Sequence, residues 1–465
     1  MKGKVIPIHS SVQAPVESVD RKFSRYVLSS MITMFLQSAY SVVDGLFVSN
    51  FVNGTALAAI NVAWPIIAVI TAIGTGIGCG GAVIMSTQQG AGHQEVSNRV
   101  RGNILLALAA AGILCTVLAL ILLEPLLQLM GAEGELLAYS LTYGRIMLGG
   151  GVLQVLSCGL TPLLRNDNRA VTAMVIMVGG LGVNLALDFV FLALFGLGIA
   201  GAAIASLFSQ LFTVVACLLV LLTRQQNPLR VDQLRFHARI WPKIFLNAIS
   251  PFGISLTPSL LILYHNIACL NSGIAEAVSA YALITSTVGS YRVLLIGVAD
   301  GIQPLASYAN GAGDLPALCR IRNKGIAAAV GLSLALFFFT VATARFYPAL
   351  YGYSGDEAVL SIHAVLLTSW QLIFTGLVRV TNSFFYAVGK IRYSLFMIYF
   401  DPLVMTPITI LVLPRLLGLD GIWLTAVVTQ LILDIVAAGM FFRHNRELRV
   451  PTRRIPDTER SIQRV

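Results

Sequence analysis

Five carboxylates sit well inside long apolar stretches: Asp44, Asp188, Asp300, Asp401 and Asp434. A charge at mid-membrane depth costs roughly 2.5–3.5 kcal/mol on insertion scales, so such residues persist where they are paired, protonated or facing a wet cavity. Burial in hydrocarbon disfavours the ionised form, which lets a carboxyl take up and release a proton. Asp44 is the first candidate. Tyr40 lies one helical turn before it and Gln37 two turns before it, on the same face. Asp188 and Asn184 are one turn apart, and Ser206 stands across a short turn at Gly196–Gly198. Asp44, Asn184, Asp188 and Ser206 are expected to form an oxygen-rich cluster with Tyr40 beside it. Such a cluster suits a shared proton or a Na⁺ ion held at Asp44, Asn184 and Asp188. The plainer reading is a hydrogen-bonded helix-packing network.

The remaining carboxylates are candidates for substrate or coupling roles. Arg292 precedes Asp300 by eight residues, about 12 Å along a helix, too far for a direct bond. Each therefore needs another partner. Arg145 and Arg379 read as structural or lipid-phosphate-facing, with an intramembrane Asp as a possible mate for Arg145. Substrate contact is expected from Gln37, Met34, Met174, Met177, Tyr264 and Tyr281, with Trp64 and Phe384 as further examples. Met adapts to varied shapes and aromatic faces attract cations, although most such residues in a membrane helix serve packing. His265 reads as a buried hydrogen bonder. No HExxH, Walker, nucleophile-elbow or paired metal-ligand pattern occurs. The expectation is a non-enzyme without cofactor, driven by an ion gradient.

Apolar helices must position these residues. Of 465 residues 57% are hydrophobic and 11% charged, with mean hydropathy +0.81. A soluble domain carries about a quarter charged residues. The apolar runs reach the roughly 20 residues needed to cross a bilayer. They predict an all-α membrane protein with twelve spans near 24–51, 56–88, 101–123, 135–163, 170–194, 199–223, 243–271, 276–309, 324–344, 358–386, 393–414 and 421–442. Six-helix lobes then cover 24–223 and 243–442 around a central cavity, with a tail at 1–23, a basic linker at 224–242 and a basic tail at 443–465. Of 31 Lys and Arg, 26 fall on the side of the termini, 2 opposite and 3 inside spans. The positive-inside rule makes both termini cytoplasmic. The net charge of +10 is thus a topology signal, not a nucleic-acid footprint. The six cysteines are well separated and read as free thiols packed in helices.

The chain repeats at an offset of 221 residues: Gly90-Ala91-Gly92 matches Gly311-Ala312-Gly313, Arg99 and Arg101 match Arg320 and Arg322, and Arg169 matches Lys390. Six spans per half is an even number, so the halves share one orientation about an axis along the membrane normal. In this register Asp188 falls on Thr409 and Asn184 on Met405. The acidic patch is therefore not duplicated, which places ion coupling in the first half. The Gly74–Gly81 run is read as a close helix-packing surface, not a phosphate loop.

The segments Tyr40-Ser-Val-Val-Asp44-Gly, Gly54-Thr-Ala-Leu-Ala-Ala59 and Gln89-Gly90-Ala91-Gly92 resemble the first two helices of MATE (multidrug and toxic compound extrusion) transporters. Gly301-Ile-Gln-Pro304 through Asn310-Gly-Ala-Gly313, Gly196–Ala205 and Gly418–Trp423 resemble other stretches of that family. Asn184-x-x-x-Asp188 with Asp44 is similar to its DinF-like branch. The resemblance covers about 24–443. It implies two lobes in a V, cation-coupled antiport with H⁺ favoured over Na⁺, and export of bulky, often cationic drug-like compounds. The expected setting is a monomer in a bacterial inner membrane. Family members often bend helix 1 at a Pro that is missing from Tyr26–Met31 here, and helix 7 lacks a carboxylate. The alternatives are a flippase of lipid-linked sugars or other lipids and, more remotely, an intramembrane enzyme with an aspartate dyad.

Overall fold

The computed structural model describes residues 19–52, 54–223, 228–274 and 276–449. The expected terminal tails lie mostly outside the described residues, as do linker residues 224–227 and the side chain of Tyr40. Helices account for the architecture. In the N-terminal half they are α1 (Val19–Phe51), α2 (Gly54–Gly90), α3 (Gln94–Leu129), α4 (Gly134–Gly149 with Gly151–Asn166), α5 (Ala170–Asp188, continued by a π segment Phe189–Leu194) and α6 (Gly198–Leu222). The second half repeats them as α7 (Trp241–Asn271), α8 (Glu276–Gly311), α9 (Leu315–Thr343, running on to Leu350), α10 (Gly355–Ser369 with Gln371–Ala387), α11 (Ile391–Phe400, a π segment Asp401–Met405, then Thr406–Leu417) and α12 (Leu419–Arg449). Among the described residues ten of these are long and apolar enough to cross a membrane, and the two parts of α4, meeting at 58°, make an eleventh. α1 supplies the twelfth. Its 33 residues reach about 50 Å at 1.5 Å per residue, and it runs unbroken without the Pro.

The two halves are not simply side by side. The outer part of α1 packs in the N-terminal core at Val48, whereas Phe23 and Val27 near its start belong to a core cluster with Val298 and Ile302 of α8. The start of α7 does the converse, since Ile240, Ile244 and Ala248 join the N-terminal core. Two glycines make these crossings possible. A Cβ at Gly301 would lie 2.5 Å from Val27 Cα, and one at Gly80 would lie 2.6 Å from Ala248 N. Gly80/Gly301 and Val27/Ala248 are pairs at the 221-residue offset, so the repeat is built into the packing. The Gly-rich run of α2 does what close packing requires: Gly74 faces Val155 of α4 and Gly80 faces α7.

The lobes meet along α2 and α8 at the end that carries the basic loops. A Cβ on Gly90 would collide with Tyr308 O and one on Gly311 with Thr87 O. These contacts are also related by the repeat. The linker docks on α3, where Arg101 Nη2 donates to Gln233 Oε1 at 2.9 Å and to Pro228 O at 3.2 Å.

Candidate functional site

Asp188 ends the α-helical part of α5, where the backbone widens into the π segment. Such segments recur at functional sites. The carboxyl is fully buried and accepts a 3.0 Å hydrogen bond from Asn184 Nδ2, one turn earlier. Asp44 of α1 is close enough to act on it electrostatically. Two neighbouring carboxyl groups in a buried place repel one another when both are ionised, which favours a proton on one of them. Among the described residues Asp188 Oδ1 is buried without a hydrogen-bond partner. Both carboxyls act electrostatically on Tyr143 of α4, which is almost fully buried. It sits in a span without any distinguishing pattern, and only folding brings it here. Ser206 is half-buried on α6 and no hydrogen bond among the described residues joins it to the pair.

At the offset of 221 residues, His265 of α7 stands where Asp44 does. Its Nδ1 lies 2.8 Å from Leu261 O, and its ring stacks on Tyr281 with centroids 5.1 Å apart and planes 3° apart. Thr409 in the place of Asp188 donates to Met405 O at 2.8 Å. The C-terminal lobe thus has no carboxyl pair at the equivalent place. Its buried acid is Asp401, at the start of the α11 π segment beside Pro402. Thr406 Oγ1 donates to Asp401 Oδ1 at 2.8 Å and Gln430 Nε2 to Oδ2 at 3.1 Å. Arg292 of α8 and Arg379 of α10 both interact electrostatically with it. Asp434 on α12 keeps a buried Oδ1 without a hydrogen-bond partner among the described residues.

Asp300 finds the partner that its own helix denies it. Arg165 Nη2 of α4 lies 3.1 Å from Asp300 Oδ2, bridging the lobes. Close by, Asn166 and Gln303 exchange amide hydrogen bonds of 3.1 and 3.0 Å, and Ser86 Oγ donates to Pro304 O at 3.3 Å. The ends of the lobes on the side of the basic loops are therefore latched together. Three expectations need correction. Tyr281 and Phe384, expected on a cavity wall, are buried in the C-terminal cores, where Tyr281 stacks on His265 and Phe384 packs edge-on against Phe385 and tilted against Phe441. Arg145 pairs with exposed Glu124 of α3 at 3.5 Å rather than with an intramembrane Asp. Arg379, read as structural or lipid-facing, instead belongs to the Asp401 group. Met34, Met174 and Met177 are half-buried and Gln37 is exposed. Tyr264 lines a cavity of about 770 Å³ with residues of α7, α11 and α12, among them Pro407 and Pro414.

A bundle of apolar spans in two repeated lobes, latched at one end and carrying a buried acid pair in one lobe, defines a multi-pass membrane transporter. The MatE family profile matches residues 29–190 and 266–411, and this chain belongs to that family; it is a transporter and not an enzyme. Multidrug export protein MepA of Staphylococcus saprophyticus subsp. saprophyticus is 22% identical over 426 residues, covering 90% of this chain and 93% of that protein. Probable multidrug resistance protein YoeA of Bacillus subtilis is 21% identical over 382 residues, covering 80% and 82%. A multidrug resistance MATE family transporter of the MOP superfamily, solved in an outward-facing conformation, superposes with TM-score 0.87 at 24% identity, covering 93% of this chain and 97% of that one. A MOP superfamily transporter from Pyrococcus furiosus gives TM-score 0.85 at 24% identity, covering 90% and 94%.

Proposed function

We propose that this protein is a secondary-active multidrug exporter that moves amphipathic, often cationic compounds out of the cell in exchange for protons. The names of the MepA and YoeA relatives support export of drugs. The observation that carries the coupling mechanism is the buried Asp188 carboxyl with a second carboxyl, Asp44, acting on it. One proton relieves the repulsion between the two carboxylates, and a second neutralises the pair and ends its demand for a cation. Asn184 presents an N–H donor to Asp188, whereas a Na⁺ ion wants oxygen ligands, so H⁺ is the favoured ion.

The transport cycle runs by alternating access. The inner latch of Arg165–Asp300 and Asn166–Gln303 holds the lobes together on the side of the termini, which the charge bias makes cytoplasmic. That arrangement suits an outward-facing state in which a drug leaves and protons enter. Protonation of Asp44 and Asp188 frees α1 from α5, the latch opens, and the next drug enters from the cytoplasm or inner leaflet. The protein acts as a monomer, with 24–223 and 243–442 as its two lobes and the starts of α1 and α7 exchanged between them. Proteoliposomes loaded with a cationic dye test this. Efflux should follow an imposed pH gradient and ignore a Na⁺ gradient; efflux driven by Na⁺ alone would replace the proton with that ion.

A further inference from the structure

In the C-terminal lobe α7 and α11 touch at one end and part at the other. Near the basic loops Tyr399 Oη donates to Ile249 O at 2.8 Å, and a Cβ on Gly253 would lie 2.8 Å from Ile398. Toward the opposite face the two helices open around the cavity of about 770 Å³ that Tyr264 lines. Pro258 in α7 and Pro402, Pro407 and Pro414 in α11 lie along the diverging stretch, and prolines and π turns bend helices. The start of α12 makes a third wall. A Cβ on Gly421 would collide with Leu413, so α12 begins hard against α11 and sets Leu419 and Ile422 on the groove.

The groove is graded in polarity. Asn271, Ser272 and Arg415 line its mouth, at the ends of α7 and α11. Tyr264 and Pro407 lie seven and eight residues deeper than Asn271 and Arg415, about 10–12 Å along their helices, which is most of the roughly 15 Å depth of one leaflet. Between them the wall is apolar, with Ile267, Ala268 and Ile410. Ile267 and Leu411 on this wall are exposed, so the groove is open sideways to lipid.

Arg415 is the residue that says what fills it. In the charge count only Arg345 and Arg415 fall opposite the termini, where the positive-inside bias disfavours cations. Arg345 lies over the Phe346 ring at 4.8 Å. The side chain of Arg415 makes no ion pair, hydrogen bond or ring contact among the described residues, and neither do those of Asn271 and Tyr264. The nearest acid in sequence, Asp420, is held by His363 of α10 at 2.9 Å. At the offset of 221 residues Arg415 matches Leu194, which is exposed, so the scaffold does not require a cation here. A cation in the last turn of a helix meets favourable carbonyls. That accounts for the charge of Arg415 but not for its seat on the groove wall.

We propose that this groove binds an anionic phospholipid of the leaflet opposite the basic loops, with its phosphate on Arg415 and Asn271 and one acyl chain lying along the wall down to Tyr264. The planar guanidinium fork matches phosphate oxygens, and the Asn271 amide adds a donor. The lipid fills the space where α7 and α11 part. The site does not depend on what the protein transports.

The test is native mass spectrometry of the purified protein in detergent, with dioctanoyl phosphatidylglycerol or dioctanoyl phosphatidylcholine added. The wild type should retain phosphatidylglycerol about ten-fold more tightly than phosphatidylcholine, the value of one or two charge-assisted hydrogen bonds. Arg415→Leu, which installs the residue of the other lobe, should shrink that ratio to about two-fold or less. Arg345→Leu should leave it unchanged. Ala268→Phe should fill the groove and weaken both lipids, while its thermal unfolding without added lipid matches the wild type. Equal retention of the two lipids by the wild type overturns the proposal, as does an unchanged preference in Arg415→Leu or undiminished lipid binding in Ala268→Phe. Competition by glycerol phosphate as strong as that of the lipid would reduce the groove to a surface anion site, and displacement of the lipid by tetraphenylphosphonium would make it a path for cations; either result also overturns it.

Discussion

The two lobes share a scaffold to the level of single contacts and differ in the charges mounted on it. Gly80 receives Ala248 and Gly301 receives Val27. Gly90 meets Tyr308 and Gly311 meets Thr87. Each of these is the other's counterpart 221 residues away. At the matching place in the interior, Asp44 and Asp188 act on each other electrostatically in one lobe; in the other, His265 and Thr409 bond to carbonyls of their own helices and Thr409 also to Thr429. Both lobes put an aspartate where the fifth helix turns from α to π. In the C-terminal lobe that aspartate lies eight positions nearer the start of its helix than the counterpart of Asp188, about 12 Å away, among arginines rather than beside a second acid. The lesson is that the repeat conserves backbone approach, which sterics demand twice, while polarity is free to diverge.

The largest effect should come from the acid pair. Asp44→Asn and Asp188→Asn proteins are expected in the membrane at normal amounts, with dye efflux at the level of cells lacking the transporter. The lobe comparison adds a stricter test: Asp44→Asn/His265→Asp restores the carboxyl on the matching helix. It should not restore transport, because Thr409 offers no second carboxyl to share a proton with it. Recovery of efflux would mean that the lobes are interchangeable and that the asymmetry is incidental.

The inner crossing comes next. Gly311→Val puts a branched side chain where Thr87 O already stands. The latched state should become inaccessible, and transport should fall as far as the acid-pair variants while proton binding survives. Because the crossing is symmetric, Gly90→Val should behave alike. Unequal phenotypes would show that one lobe moves against a fixed partner. Separation of spin labels across the inner ends of α2 and α8 reads the outcome directly.

Breaking the ion pair between lobes should have a moderate effect. Arg165 and Asp300 are 12% and 31% exposed, so water screens the pair in part. Asp300→Asn is expected to shift the population of latched molecules by roughly five- to ten-fold, on the order of 1 kcal/mol. The exchange Arg165→Asp/Asp300→Arg should recover most of it. The same spin-label distances measure both; an exchange variant no better than the single ones would show that Asn166 and Gln303 hold the latch without it.

Much of this was legible in the residues. Span count, lobe repeat and the Asn184/Asp188 patch follow from hydropathy and helical spacing, which act locally. Asp44 and Asp188 are far apart in the chain, and their association was an expectation of the sequence and of the family resemblance; the two carboxyls act on each other electrostatically. Partners across lobes were not legible. Arg165 reads as a loop cation until α4 carries it to α8, and nothing near Tyr143 marks it as a neighbour of both acids. Tyr281 and Phe384 have the right chemistry for a cavity wall, but an aromatic residue in an all-apolar helix has no polar face to say which way it points. The exchange of α1 and α7 between lobes was hidden for the same reason: Gly80 and Gly301 announce close packing without naming the helix they receive.

The smallest effect compares two tethers that occupy one place in the repeat. Asp20 Oδ1 at the start of α1 meets Lys324 Nζ of α9 at 2.6 Å. Its counterpart is Trp241 at the start of α7, whose Nε1 donates to Asn103 Oδ1 of α3 at 3.1 Å. The first is an exposed ion pair, in which Lys324 holds the Asp20 carboxyl below its ordinary range. A carboxyl lowered in this way stabilises the fold above its ordinary value near 3.8 and loses that contribution as the pH falls further. At neutral pH the pair is complete, but salt screens it. The second is neutral and closed: Asn103 is fully buried, also accepts from His237 N and donates to Arg99 O and Arg235 O. Asn103→Ala should therefore lower thermal stability by about 1–3 kcal/mol, the cost of leaving buried groups unpaired, at low and high salt alike. Lys324→Ala should cost little, and that little should vanish in high salt. Equal losses in both variants would mean that the two helix starts are held by their apolar contacts with the opposite lobe and that neither polar tether matters.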